Sequence, residues 1–262
     1  MSRFGDVFIL ACGESVLDLT DREREHIAGS ECVLALNKFA LFYELAGILP
    51  THVYHVDHHM PGPLVVQAMH NLLVTNGITD VTLILGPWYR ENCMVARWDR
   101  YLRKRMARWA LRSEFPLIKT LRAITYEYLN MAPWLEPGHW ARRPSEPHFH
   151  YRTSMETAIN YVAIRFPGRP IKLVGADLNS PRYFFQDKLE TLSFDWRDWS
   201  LSVAREAEAV HFAVTDYKGG TILDEMAFIH ERLAETDNSL KCCNPTSVFV
   251  TGGHVDCASV IS

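Results

Sequence analysis

Short, continuous runs of apolar and β-prone residues recur along this chain, and each stops at a small or polar residue. Residues 7–12 (VFILAC) end at Gly13, residues 32–36 at Asn37, residues 51–56 (THVYHV) at Asp57, residues 80–85 at Gly86 and residues 171–174 (IKLV) at Gly175. Runs of this length that do not alternate with polar residues fit strands covered on both faces, as in a parallel sheet. Segments of helical character lie between and after them, at 17–27, 39–45, 65–74, 154–166, 201–214 and 222–234. Residues 241–243 read as a short last strand before Asn244-Pro245-Thr246-Ser247. Strand, turn and helix in that order predict the α/β class: a single Rossmann-like domain over residues 1–262, with a mostly parallel sheet flanked by helices.

The rhythm fails in two places. Residues 88–150 hold a basic stretch and then a Pro-rich one, with too few apolar runs for a second core, and so read as an insertion within the domain. Residues 178–218 begin polar and aromatic without clear periodicity, as a lid would. No internal repeat is visible.

Composition narrows the functional classes. Of the 262 residues 48% are hydrophobic and 22% charged, which excludes disorder and coiled coil. The net charge of −4 argues against a general nucleic-acid binder. No apolar run approaches the roughly 20 residues of a membrane-spanning helix, and no signal-like n-region precedes the first strand. The six cysteines form no C-x-x-C pair, so neither a zinc ribbon nor a disulfide scaffold is expected, and the cytoplasm is the default compartment.

In open α/β sheets ligands bind beyond the carboxyl ends of the strands. The residues expected there are Gly13-Glu14-Ser15, Asn37-Lys38, Asp57-His58-His59, Gly175-Ala176-Asp177 and Asn244 to Ser247. Any one of these ends, taken alone, reads first as a polar turn. Five in one sheet point to a pocket. The first turn, ACGES, lacks the full dinucleotide fingerprint, and no P-loop motif occurs. His52, His55, His58 and His59 with Asp57 invite a metal reading, but alternate residues of one strand end give poor convergence, and no metal is expected.

Two further features carry charge or hydroxyls. Residues 97–112, from Arg97 to Arg112, hold seven Lys/Arg interleaved with Trp98, Tyr101, Met106 and Trp109, a face suited to an anionic membrane surface or acceptor. Arg152-Thr153-Ser154 opens a helix, with Thr153 or Ser154 as N-cap supported by Glu156 or Thr157. The same residues present an arginine, hydroxyls and helix N–H groups to an anion.

Taken in order, ACGES, ALNKF, THVYHVD, RTSMETAINYVAIRF, KLVGADL, RYFFQD and CNPTS resemble the bacterial sialyltransferases of glycosyltransferase family 42. Lipopolysaccharide Kdo transferases and flagellin-glycosylating proteins share a similar layout. The matches are short but spread over nearly the whole chain; residues 88–150 have no counterpart. The resemblance implies a Rossmann-like domain that binds a CMP-activated nonulosonic sugar beneath a lid, without a cofactor. Gly13 and Ser15 match the first-turn motif, with Cys12 where the family often has Asn, and Asn37 matches a donor-contacting Asn. Arg152, Thr153 and Ser154 match an R-x-T-S-G motif for the donor phosphate and carboxylate, one residue shorter and with Met155 in place of the Gly. Asp177 matches a strand-end Asp, Tyr183 a lid Tyr on the leaving phosphate, and Asn244 and Ser247 a nucleotide motif; Asp57 ends the third strand at the same mouth. The family's lid His has no equivalent in motif, which leaves His211 and Asp216 as the bases on offer, beside Arg152 and Tyr183 as catalytic groups.

The resemblance therefore implies a glycosyltransferase that moves Kdo or a sialic-like acid from its CMP ester to a glycan or glycolipid. Such an enzyme would be cytoplasmic and peripheral at the inner membrane through residues 97–112. A homo-oligomer is compatible with it, and nucleic acid is not an expected partner. Two alternatives stay open: a Mg²⁺-dependent pterin-type pyrophosphokinase using Asp57 and Asp177, and a non-catalytic glycan- or membrane-binding relative.

Overall fold

The computed structural model describes residues 4–55, 69, 72–73, 76–78, 80–86, 125–191, 211–216 and 220–261. Its strands are β1 (Phe4–Leu10), β2 (Ser30–Leu36), β3 (His52–His55), β4 (Thr82–Leu85), β5 (Thr125–Tyr128), β6 (Pro170–Val174), β7 (Ser239–Cys242) and β8 (Asp256–Cys257). They form one sheet in the order β5-β4-β3-β2-β1-β6-β7-β8, and every pairing is parallel. The chain steps outward from β1 to β5, returns to the centre at β6, and steps the other way to β8. The order reverses between β1 and β6, which opens a crevice at their carboxyl ends.

The apolar runs are covered on both faces. In β1, Val7 and Ile9 join one core with β6 and the helix α3 (Ser154–Arg165), while Phe8 and Leu10 join the opposite core with Val16, Ile27 and Phe39. A third cluster under β3 and β4 takes Val53, Leu83, Leu85, Met69 and Leu73. On the first face α3 is buried from Met155 through Ala163, next to α5 (Met226–Ala234). The opposite core is flanked by α1 (Asp21–Ala28) and α2 (Tyr43–Ala46). The remaining helices are α4 (Gln186–Thr191) and α6 (Val248–Thr251). Among the described residues no helix is long and apolar enough to cross a membrane.

Several elements differ from the sequence expectation. The single helix expected at 39–45 is a 3-10 turn, Asn37–Leu41, followed by the one-turn α2. The region read as an insertion contributes β5, which pairs with β4 at the sheet edge. TYEY alternates and is only partly covered, so it lacks the continuous apolar signature of the inner strands. Similarly, β8 follows the strand expected to be last; two exposed residues give no pattern to read. The start of the expected lid is fixed: Phe184 and Phe185 are buried, and Phe184 N–H donates to Cys12 O at 2.9 Å. The basic stretch at 97–112 and the strand end Asp57-His58-His59 lie outside the described residues.

Candidate functional site

The carboxyl ends of β1, β6 and β7 are bolted together. Beyond the strands proper, Ala11 N–H donates to Val174 O and Gly13 N–H to Gly175 O, both at 2.8 Å. A Cβ on Gly13 would lie 2.4 Å from Asp177 Oδ2 and 2.6 Å from Gly175 O, so only glycine fits this turn. Asp177 then gathers the neighbouring chain ends. Its carboxylate accepts the Ser15 N–H at 2.9 Å, the Ser15 hydroxyl, and the Asn244 side-chain amide at 2.8 Å. Ser247 caps α6, accepting the Phe249 N–H at 3.3 Å, while its hydroxyl donates to Ala176 O.

The sequence expectation made Gly13, Ser15, Asp177, Asn244 and Ser247 donor contacts. The structure gives their polar groups a different use. Each hydroxyl or carboxylate is engaged inside the strand-end network, and none of the five lines the adjacent cavity. A carboxylate that accepts three hydrogen bonds is a strut between chain ends.

That cavity, of about 210 Å³, opens beside the β1–β6 crevice. Asn37 and Lys38 beyond β2, Thr153 and Ser154 at the start of α3, Tyr183, and His211 supply its polar wall. Met155, Leu178, Phe185, Phe212 and Ile222 supply much of the apolar remainder. Four stretches far apart in sequence thus meet at one site, and five of the expected residues, Asn37, Thr153, Ser154, Tyr183 and His211, are among them.

Their local geometry assigns what each can do. Asn37 sits at φ +50°, a left-handed conformation that Asn tolerates better than most residues, and its Nδ2 donates to Ser154 Oγ at 2.8 Å. Its Oδ1 is buried with no partner among the described residues. Ser154 Oγ accepts from Asn37, and its own proton has no acceptor among the described residues. Thr153 is committed to the helix start: its Oγ1 accepts the Met155 N–H at 3.1 Å and donates to Glu156. Glu156 in turn accepts the Thr153 N–H at 2.9 Å and the Arg152 N–H at 3.0 Å, completing a capping box. Burial raises the Glu156 carboxyl to a pKa of about 7 against the pull of those donors.

Arg152 does not line the cavity. Its Nη2 donates to Phe212 O at 2.8 Å and its guanidinium carbon lies 5.3 Å from the Phe212 ring centroid. It thereby pins the wall formed by His211–Phe212–Ala213, which is also held by His211 N–H to Leu178 O at 3.1 Å and Ile222 N–H to Ala213 O at 2.9 Å. Leu178 pays for that position with φ +59°.

His211 packs edge-on to Tyr183 at 6.3 Å, and its Nδ1 accepts the Ala213 N–H at 3.2 Å. Burial, reinforced by the Arg152 charge and only partly offset by Asp177, lowers its pKa to about 4. The ring is neutral at pH 7 with its proton on Nε2, so as placed it is a hydrogen-bond donor. In this tautomer the Nε2 lone pair that a base role would use is not on offer. Asp216, the other base on offer, is exposed and outside the cavity wall. Asp57 lies outside the described residues.

Cys12, another wall residue, has its Sγ 3.6 Å from Leu36 O, and burial pushes its thiol up to about 12, so it is not a nucleophile at neutral pH. Among the described residues no group of three or more His, Cys, Asp or Glu is placed to hold a metal. His52 and His55 are internal to the sheet: His52 Nδ1 lies 2.9 Å from Thr51 Oγ1, and His55 is fully buried. Lys38 is a wall residue that the sequence named only as a strand-end neighbour of Asn37, with no role of its own. Comparison of the chain with protein families, with curated proteins and with solved structures gives no match.

Proposed function

We propose that this protein is a glycosyltransferase that moves a nonulosonic sugar from a CMP-activated donor to a glycan or glycolipid, with the donor seated in the cavity beside β1 and β6. The observation that carries this reading is the convergence of Asn37, Ser154, Tyr183 and His211 on one wall. Asn37, Ser154 and Tyr183 belong to three of the segments whose order resembles the CMP-sugar transferases.

The chemistry asks for hydrogen-bond donors. Transfer forms a bond from an acceptor hydroxyl oxygen to the sugar's anomeric carbon and breaks that carbon's bond to the phosphate oxygen; the departing CMP keeps the electron pair, and the acceptor's proton passes to its phosphate or to water. Donors fixed in advance around the phosphate favour its departure. The Ser154 hydroxyl, the Tyr183 hydroxyl and His211 Nε2–H are the donors this wall offers. The apolar surface of Phe185, Phe212 and Ile222 suits a flat base.

A thermal-shift titration with CMP, CDP, UDP and ATP, each with and without EDTA, tests the reading, since a ligand that binds only the folded state raises the melting temperature. Stabilisation by CMP that EDTA leaves unchanged is the expected result. A response confined to ATP and abolished by EDTA would replace it with the pyrophosphokinase reading, and no response to any of the four would leave a non-catalytic relative.

A further inference from the structure

We propose that Cys257 is a site of thiol modification by low-molecular-weight disulfides, and that Cys242 resolves the adduct into a Cys242–Cys257 bond that clasps the C-terminal segment to the sheet. The inference is independent of what occupies the cavity.

Register brings the two thiols together. β7 and β8 run parallel, with Cys242 opposite Cys257 and Lys241 opposite Asp256. Residues opposite one another in neighbouring strands project to the same side, with backbones about 4.8 Å apart, inside the range a disulfide spans. The adjoining pair shows that side chains meet in this register: Lys241 Nζ lies 2.6 Å from Asp256 Oδ2. Cys243, the third thiol nearby, is turned the other way. Cys242 belongs to the core on the α3 face, whereas Cys243 packs against the opposite core. β8 is only two residues long, and the chain leaving it is tied back by Ala258 N–H, which donates to Cys242 O at 3.0 Å.

Exposure divides the chemistry between them. Both are free thiols; Cys257 is exposed, whereas Cys242 is fully buried with its Sγ 3.7 Å from Asn244 O. Burial raises the Cys242 thiol, so it is not the first to meet an oxidant. The Cys257 thiolate attacks one sulfur of glutathione disulfide, forming a mixed disulfide and releasing one glutathione thiolate. Cys242 loses its proton to water and attacks the Cys257 sulfur, which forms the protein disulfide and expels the second glutathione as thiolate. Two protein thiols are oxidised and one glutathione disulfide is reduced to two thiols. The closeness of Cys242 makes the second step intramolecular, which offsets its small thiolate fraction. In a reducing compartment such a bond is transient and responds to oxidation.

Incubation of the reduced full chain with glutathione disulfide, then digestion with trypsin and chymotrypsin and mass spectrometry without reductant, tests the proposal. Cleavage after Phe249 separates the two cysteines. The expected product joins the peptide holding Cys242 to the peptide holding Cys257. That bond should persist in Cys243→Ser and be absent in Cys257→Ser, while Cys242→Ser should stop at the glutathione adduct on Cys257. Should the buried Cys242→Ser not fold, the wild type and Cys243→Ser decide. No glutathione on Cys257 and no bond from it overturns the modification site. An adduct that accumulates on Cys257 of the wild type without a bond overturns the resolving role of Cys242. A bond from Cys257 to any other cysteine overturns the pair. The linked protein should also melt several degrees above the reduced one, a difference that dithiothreitol erases, and equal melting temperatures overturn the clasp.

Discussion

Asn37 Nδ2 donates to Ser154 Oγ at 2.8 Å across 117 positions of sequence, joining the carboxyl end of β2 to the first turn of α3. The bond orients both groups: it leaves the Ser154 proton to donate into the cavity and turns Asn37 Oδ1 inward. Replacing Ser154 by Ala removes one hydrogen-bond donor from the cavity wall and orphans the Asn37 amide. CMP affinity should fall about tenfold, with a stability loss of only about 1 kcal/mol. Asn37→Gly and Asn37→Ala both lose the bond, but Ala must also adopt φ +50°, so it should be about 1 kcal/mol less stable than Gly. Urea unfolding of the pair checks this, and equal stabilities would mean the backbone at 37 relaxes on substitution.

Gly13 and Asp177 should behave as one unit. In Gly13→Ala the new methyl would meet Asp177 Oδ2 at 2.4 Å and backbone oxygen at 2.6 Å, so the β1 and β6 ends must part. A loss of about 3 kcal/mol or more is expected, beyond the ordinary range for surface changes. Asp177→Ala removes the carboxylate part of that clash, with the Gly175 O contact remaining, but leaves the Ser15 N–H and the Asn244 amide without their acceptor, at about 1–3 kcal/mol each. The double variant should therefore cost less than the sum of the two, a non-additivity that chemical denaturation of the four proteins reads directly.

On the opposite face, Lys172 on β6 is a buried ammonium held by Asp6 at 2.9 Å and by Val260 O at 3.1 Å, over the ring of Phe8. His26 approaches Asp6 at 3.6 Å on the other side. Lys172→Met would strip Asp6 of its main partner and release the C-terminal segment at Val260, and should cost about 3–5 kcal/mol. Pairing it with Asp6→Leu should recover part of the loss, because an apolar pair carries no desolvation debt. Faster amide exchange around Val260 would report the released segment, and unchanged exchange there would mean other contacts hold it.

The sheet was legible from the sequence because its inner strands are buried on both faces and leave unbroken apolar runs. Edge strands β5 and β8 escape that signature because half of their residues face outward or the strand is too short. The helix start at Thr153 was legible from Glu156 three positions later, a purely local bond pattern. The division of labour at the strand ends was not. Whether a hydroxyl faces a ligand or a neighbouring turn depends on partners such as Asp177 and Asn244, 67 positions apart, which no local pattern encodes. The resemblance placed Ser15 and Ser247 among the ligand contacts, whereas packing turned both inward. The burial of Lys38 was not legible for the converse reason, since a lysine at a strand end is ordinarily solvated.

His211 and Glu156 should give opposite pH dependences to stability. The His211 pKa is depressed to about 4 in the folded protein, so between there and its ordinary 6.5 the unfolded chain binds the extra proton. Its contribution is therefore complete above about pH 6.5 and is lost as pH falls towards 4. The Glu156 pKa is raised from 4.5 to about 7, so in that interval the folded state holds the extra proton, and its contribution is present at low pH and lost as pH rises through 7. Across their shared window, from about pH 4.5 to 6.5, the two slopes partly cancel, and the wild type should show a nearly flat stability profile there from this pair. Separating them requires two variants. His211→Gln should leave a profile that falls with rising pH, and Glu156→Gln one that rises. Melting temperatures measured from pH 4.5 to 7.5 against the wild type read both slopes. Parallel profiles for all three proteins would mean that neither group titrates differently on folding.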